Sequence, residues 1–284
     1  MSDSIHSIVW LNGELVPAGE AKISPFDHGL LTGDGVFETL AAYDGKPFAT
    51  RRHHERFVRS ASALGLSVPD KGTMARAMTE VLAANKLSEA RVRATITGGI
   101  GPLGSDKNDS SDTFLVAASP MPGHADLAKV VFVPWQRNKH GALKGVKSTS
   151  YGENVIALAH AKKQEGNEAI FGNTEGELCE GTGSNLFLVL DGALITPTLD
   201  SGCLAGVTRS IVLDLCRQEG IPAEEYDVPL SKLAEADEAF LTSSLREVQP
   251  IADVDGASLP VCPGPVSALL RASFKALVES NIDP

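Results

Sequence analysis

Lys147 sits in the stretch GVKSTSYGENVIALAHAK, residues 145–162, in a setting that a surface charge does not need. It follows Gly145 and Val146 and precedes Ser148, Thr149, Ser150 and Tyr151, and a helix-forming run with few charges begins only after them. Small neighbours leave room beside the amine for a ligand, and lysine is the side chain that forms Schiff bases with carbonyl compounds. Three further features carry matching chemistry. Glu180, in ELCEGTGSNLFLV, ends a short strand before a Gly-Thr-Gly turn. The turn LAGVTR, residues 204–209, opens a helix at Val207 and Thr208, and first-turn amides of a helix attract an anion. Arg56, on the helix after the N-terminal hairpins, has the planar fork that grips phosphate. Taken singly, each has an ordinary reading. Lys147 is then a solvated charge, Glu180 a strand-end carboxylate in water, Thr208 a cap of its own turn, and Arg56 the polar side of an amphipathic helix. Taken together they supply an amine, a carboxylate, a pair of amides and a cation, the set that pyridoxal phosphate demands.

The elements that must position these residues follow from pattern. Asn12-Gly13 and Asp44-Gly45 each separate two apolar runs, which predicts two hairpins. Residues 51–65 read as a helix with Phe57, Val58, Ala61 and Leu64 roughly on one face, and 71–86 as a second. Residues 90–99 and 113–119 alternate as strands. The segment PMPGHAD, 120–126, combines two prolines and a glycine with a change of pattern, and predicts a linker. Beyond it come a strand near KVVFVPW, the loop through Lys147, a helix over about 153–165, and short strands at EAIFGN, ELCE, SNLFLVL and ALITP. A helix at VTRSIVLDLCRQEG, strands at EAFLTSS and VQPIADV, and a helix over 264–280 complete the chain. Strands and helices mix without regular alternation, so the expected fold class is α+β, with two domains and largely antiparallel sheets. The expected division is 1–120, a linker at 121–127, and 128–284, with ligand sites expected where the halves meet.

Composition bounds the partners. The chain has 284 residues, 43% of them apolar and 5% aromatic, so its core is expected to be aliphatic. With 25 basic against 36 acidic residues the net charge is −11, and Lys and Arg gather only in pairs such as Arg51-Arg52 and Lys162-Lys163. Nucleic acid is therefore not expected as a partner. The first residues show no leader pattern, and no run reaches the ~18 apolar residues of a membrane span, so no membrane partner is expected. Cys179, Cys203, Cys216 and Cys262 lack CxxC spacing and read as reduced thiols, which points to a soluble cytoplasmic protein. The seven histidines, His6 among them, show no metal-binding spacing, and no metal is expected. No GxSxG elbow and no P-loop occurs, and GGIGPLG at 98–104 reads as a mobile loop over the site.

The chain resembles the fold-type IV, or class IV, pyridoxal-phosphate enzymes. These include branched-chain aminotransferases, D-amino acid aminotransferases, (R)-selective amine transaminases and 4-amino-4-deoxychorismate lyases. The stretches that carry the likeness run through nearly the whole chain: WLNGELVPAGEAKISPFDHGLLTGDGVFETL, PFATRRHHERFVRSA, KSTSYGENVIALAHA, EAIFGNTEGELCEGTGSNLFLV, TPTLDSGCLAGVTRSIVLDL and ADEAFLTSSLREVQPI. The resemblance implies a small N-terminal α/β domain and a larger C-terminal domain with a barrel-like sheet, with pyridoxal 5′-phosphate between them. It makes Lys147 the Schiff-base lysine and proton shuttle, and Glu180 the partner of the pyridine nitrogen. Arg56, Val207, Thr208, Ser243 and Ser244 fall at the phosphate positions, and Leu204 on the ring face. Tyr151 lies near the family's cofactor tyrosine, four residues after the lysine where five are expected. The resemblance also implies a homodimer with shared active sites.

Two reactions share these cofactor contacts: transfer of an amino group between an amino acid or amine and a 2-keto acid, and release of pyruvate with 4-aminobenzoate by the lyase. Thr97 stands where D-amino acid aminotransferases carry an arginine for the substrate carboxylate. The strand RVRATITGGIGPLGSD also lacks the glycine- and arginine-rich character associated with the lyases. Arg93 falls at an arginine of branched-chain aminotransferases, while Arg91 replaces their tyrosine. The two share a strand face, where one or both meet a substrate carboxylate or stand in solvent. Leu30 and Thr32 replace pocket aromatics, Phe37 is kept as a substrate-pocket residue, and Glu38 is retained as transaminases tend to retain it. The favoured expectation is the transaminase, with the lyase as the alternative.

Overall fold

The computed structural model describes residues 8–107 and 111–284. His6 and the start of the segment searched for a leader lie outside the described residues. The chain divides into two compact units, one of Met1–Gly123, Val146–Ser150 and Ile282–Pro284, the other of His124–Gly145 and Tyr151–Asn281. The five residues around Lys147 thus pack with the first unit, although the chain on either side of them belongs to the second.

In the first unit, β1 (Ile8–Leu11) and β2 (Glu14–Pro17) form the first hairpin, turned by Asn12 (φ 50°) and Gly13 (φ 107°). There follow α1 (His28–Leu31), β3 (Gly35–Tyr43), β4 (Lys46–Pro47), α2 (Thr50–Ala63), α3 (Lys71–Ala84), β5 (Ala90–Thr97) and β6 (Thr113–Pro120). The six strands form one antiparallel sheet in the order β2-β1-β6-β5-β3-β4. Val36, Leu40, Val92, Ile96 and Val116 face α2 and α3 and pack with Phe57, Met74, Met78 and Val81. The pleat then turns Arg91 and Arg93 to the other face, where both are exposed. The buried stripe of α2 differs from the expected one. Val58 points outward at 38% exposure, while His53, Arg56, Phe57, Ser60 and Ala61 are buried at helical spacing. Hydropathy assigned the face by its apolar members, yet four of the six buried residues of α2, Thr50 among them, are polar.

The second unit runs β7 (Ala128–Arg137), α4 (Gly152–Lys163), β8 (Glu168–Asn173), β9 (Leu178–Gly181), β10 (Asn185–Leu190), β11 (Ala193–Thr196), α5 (Val207–Glu219), β12 (Ala223–Glu225), β13 (Glu238–Ser243), β14 (Glu247–Val254), β15 (Ala257–Ser258) and α6 (Pro265–Ser280). Its sheet has the order β12-β11-β10-β13-β14-β7-β8-β9, with β15 beside β14. The pairs β7–β8, β14–β7 and β11–β12 are parallel and the remainder antiparallel. The β7–β8 pair is parallel because α4 carries the chain back across the sheet. The short α1 and β12 carry too little periodicity to be read from sequence. Two sheets with helices on their faces are the α+β class that the sequence predicts.

One side of this sheet buries Ile170, Leu178, Leu186, Leu188, Leu241 and Ile251. Phe187 and Phe240 stack with their ring centroids 5.0 Å apart, and both are fully buried. Phe240→Ala removes a ring that nothing can replace, and is expected to destabilise the second unit by about 3–5 kcal/mol in urea denaturation. Phe26→Ala, at a half-exposed site, is expected to stay within about 0.5 kcal/mol.

Candidate active site

Lys147 is held from its backbone outward. Strand β4 covers only Ala42 and Tyr43, which leaves the first half of that β3 edge open. Residues 147–149 take the open edge. Phe37 donates its N–H to the Lys147 carbonyl at 3.0 Å, Thr149 donates to the Gly35 carbonyl at 2.8 Å, and Val36 and Ser148 form an antiparallel bridge. The Lys147 N–H donates to Ser60 Oγ on α2 at 3.1 Å. The amine therefore leaves a backbone fixed on both sides and lies half-buried, 4.6 Å from the centroid of the Phe37 ring. The Arg93 guanidinium lies 3.6 Å from the same centroid, and its Nε donates to Thr95 Oγ1. Phe37 thus brings the two cations to one ring, where the ring's quadrupole favours both. Arg91 is also exposed but stands opposite Ala41, further along the strand from Phe37. Thr32 closes α1, and its hydroxyl donates to the His28 carbonyl.

Behind this edge, Glu38 has no exposed surface. Arg56 donates to both its oxygens, through Nε at 2.8 Å and Nη2 at 2.7 Å, and His53 Nδ1 lies 2.6 Å from Oε2. Burial alone would raise the Glu38 carboxyl. The Arg56 charge and its hydrogen bonds, with His53, outweigh it and bring the value down to about 2. Burial pushes His53 below its ordinary value. Glu38 opposes that shift, and the charges of Arg56 and Lys147 add to it.

In the second unit, Glu180 is held at both oxygens. Arg137 Nε donates to Oε1 at 3.2 Å and the Leu204 N–H to Oε2 at 2.9 Å. Asn185 Nδ2 donates to the Leu204 carbonyl at 2.8 Å, so the turn that leads into α5 is tied to β10. A Cβ at Gly206 would stand 1.9 Å from Asn185 Oδ1, so only a glycine fits between that turn and the helix. Val207 and Thr208 follow as the first residues of α5, with amides that lack an intrahelical partner by position. The helix has no side-chain cap, so Thr208 does not cap its own turn. Ser243 ends β13, and its Oγ accepts the Arg246 N–H at 3.2 Å, closing the turn that contains Ser244. Tyr151 precedes the first turn of α4 and is half-buried. Cys179 faces away from Glu180, toward Ser201, and burial raises its thiol well above the ordinary range; Cys203 is pushed up to about 11.

A family model described as amino-transferase class IV matches residues 35–254. The chain belongs to the class IV aminotransferases. It is 38% identical over 273 residues to a putative branched-chain-amino-acid aminotransferase of Methanocaldococcus jannaschii, covering 94% of this chain and 95% of that protein. It is 32% identical to a D-alanine aminotransferase of Staphylococcus haemolyticus over 96% of this chain and 98% of that one. Among solved structures, the branched-chain aminotransferase of Thermoproteus uzoniensis with norvaline superposes at a TM-score of 0.89, with 31% identity, over 96% of this chain and 95% of the other. The protein is a pyridoxal-phosphate-dependent transaminase acting on small molecules.

For a class IV aminotransferase, three side chains stand out that the sequence reading left aside. Ser60 fixes the Lys147 amide, His53 shares the buried charge of Glu38, and Arg137 holds Glu180. A helical-wheel count that ignored hydropathy would have found the first two, since both recur with Arg56 on one face of α2. Nothing local marks Arg137, because its partner is 43 residues away. The groups present fit the cofactor of the class. A carboxylate is anchored at both oxygens, and a glycine-lined turn opens a helix whose first two amides lack an intrahelical partner by position.

The Glu38 cluster makes stability depend on pH in a defined direction. His53 titrates below its ordinary 6.5 in the folded chain, so unfolding takes up a proton and stability falls as pH drops below about 6.5. Glu38 contributes stability above its ordinary 4.5 that is lost as pH falls toward about 2. Glu38→Ala strands the Arg56 charge and is expected to cost about 3–5 kcal/mol near neutral pH. That difference should shrink between pH 4.5 and 2 in urea titrations of the two proteins.

Proposed function

We propose that Lys147 is the residue that binds the cofactor covalently and moves the proton. The observation that carries this reading is the placement of its amine over Phe37, on a backbone pinned by β3 and Ser60, with the Arg93 guanidinium on the same ring. In the same reading Glu180 faces the ring nitrogen and Leu204 lies on the ring face. Arg56, Val207, Thr208, Ser243 and Ser244 hold the phosphate, and Tyr151 stands near the cofactor. When bound, pyridoxal phosphate supplies an aldehyde for the amine and a ring that accepts electrons. Lys147 Nζ carries the proton that the reaction moves. Arg56 acts as an anion ligand with a fixed charge, since Glu38 orients its fork. Burial holds His53 below its ordinary value, so at physiological pH it adds no charge beside those of Arg56, Arg93 and Lys147.

The donor we propose is an L-amino acid with an aliphatic side chain, and the acceptor a 2-keto acid. Arg93 supports it as the cation for a substrate carboxylate, since it stacks on the ring that backs Lys147, whereas Arg91 lies further along the strand. Thr97 offers no cation of the kind that D-specific relatives place there. The name of the M. jannaschii relative points the same way. Thr32 and Phe37 line the pocket in this reading. Division at 121–127, a homodimer with shared sites, and a cytoplasmic location belong to the same proposal. Leu30, Ile100 and Leu103, all exposed on the first unit, support the dimer, and four cysteines without a disulfide support the location. No helix among the described residues is long and apolar enough to cross a membrane.

Lys147→Ala is expected to leave the fold intact and abolish turnover, with the loss of the visible absorbance of covalently bound cofactor. Retained turnover would overturn the assignment. Titration with L- and D-amino acids and (R)-amines is expected to bleach the yellow holoenzyme with aliphatic L-donors. Pyruvate release from aminodeoxychorismate, with no bleaching by any donor, would replace the transaminase reading with the lyase. Arg93→Ala is expected to raise KM for carboxylate-bearing substrates about tenfold, the effect of one lost charge-assisted contact, with kcat less affected.

A further inference from the structure

We infer that Arg137 is the positioning residue that keeps Glu180 ionised and aimed, and so sets where the proton of the cofactor's ring nitrogen resides. The inference rests on the proposed role of Glu180.

Three contacts carry it. Arg137 closes β7, and its Nε reaches Glu180 Oε1 at 3.2 Å across the sheet. Its guanidinium lies 4.2 Å from the centroid of Phe171, and Phe171 is the register partner of Glu180 on the neighbouring strand. Phe171 therefore fixes the height of the guanidinium above the sheet, and the carboxylate beside that ring is met at one oxygen. The second oxygen is fixed by the Leu204 N–H. A carboxylate tied at both oxygens cannot rotate about its terminal torsion, which is otherwise broad. A carboxylate oxygen can accept from more than one donor. Two donors, one of them cationic, stabilise the anion and disfavour the acid. An anionic Glu180 leaves the shared proton on the ring nitrogen; a protonated one would compete for it. Arg137 also pairs through Nη1 with Glu153 at 3.1 Å, but Glu153 is 70% exposed and solvent screens that pair. The sheltered contact to Glu180 is the one with consequence.

The test uses holoenzyme carrying ring-¹⁵N pyridoxal phosphate, with two readouts: the ¹⁵N shift, which reports protonation of the ring nitrogen, and the rate of cofactor release. The variants are Arg137→Gln, Arg137→Lys, Glu180→Gln, Glu153→Gln and the double Arg137→Gln/Glu180→Gln. Thermal unfolding of each is recorded alongside. Glu180→Gln is expected to move the shift toward a neutral nitrogen and to speed release. Arg137→Gln is expected to move both readouts the same way, with release faster by about tenfold, the effect of one lost hydrogen bond to a charged group. Arg137→Lys restores charge without the fork and is expected to recover part of the shift. The double variant should match Glu180→Gln alone, because Arg137 then has no carboxylate to act through. Glu153→Gln should change neither readout. If Glu180→Gln moves the shift while both Arg137 variants leave it in place, Arg137 is structural only and the inference fails while the reading of Glu180 stands. If Glu180→Gln itself moves nothing, the reading of Glu180 fails and the inference with it. If Arg137→Gln does not fold, Arg137→Lys decides alone: a wild-type shift overturns the inference, an intermediate one supports it.

Discussion

A carboxylate with no exposed surface stands behind the Lys147 edge of the first unit. Glu38 is tolerated there only because Arg56 meets both its oxygens and His53 meets one. That requirement dictates the neighbouring architecture. Helix α2 must turn a polar stripe inward, and β3 must present Glu38 to it. The alternation of β3 then sends Phe37 to the opposite face, where it takes the Lys147 amine and the Arg93 guanidinium. Ser60, one turn beyond Arg56 on α2, fixes the Lys147 amide. One buried charge thus links the anion-binding candidate, the aromatic platform and the lysine through a single strand and a single helix.

The second unit follows the same logic with a different carboxylate. Glu180 is anchored from β7 by Arg137 and from the turn before α5 by Leu204, while Asn185 holds that turn to β10. Leu204 is thereby held through both its N–H and its carbonyl, just ahead of the two amides that open α5. The neighbouring Glu168 does comparable work for the turn after Glu180, where the Thr182 N–H and the Ser184 hydroxyl donate to it at 3.0 and 3.1 Å. In both units buried or half-buried carboxylates hold side chains or backbone around the candidate site residues. Each is stable because its partners arrive from separate elements.

Most elements were legible because their signals are local. Asn12-Gly13 and Asp44-Gly45 need positive φ, and both turned hairpins. The alternation of 90–97 gave β5, and Gly65 and Gly220 followed helices where expected. Signals that extend across the chain were missed. Val58 was given to the buried face of α2 because it is apolar, while Arg56 and His53 took that face because Glu38 required partners. The parallel pairs of the second unit escaped because pairing direction depends on how the chain returns, not on the composition of a strand. Arg137 carries no local signal, because Glu180 meets it from β9, two strands away across β8.

By itself the sequence determined which groups exist: one lysine among small residues, a carboxylate before a Gly-Thr-Gly turn, a glycine opening a helix, and an arginine on an amphipathic run. Those identities, with their order along the chain, point to one class of chemistry, because an amine, a carboxylate, helix-opening amides and an arginine are the groups that pyridoxal phosphate demands. Only tertiary structure decided which of them are held and by what. Residues 147–149 join β3 because β4 stops short, Arg93 reaches Phe37 while Arg91 does not stand beside it, and Glu180 is fixed by a residue 43 positions away. The reason is physical. Residue type sets what a side chain can donate or accept, but its orientation, desolvation and charge partners are properties of the elements folded around it.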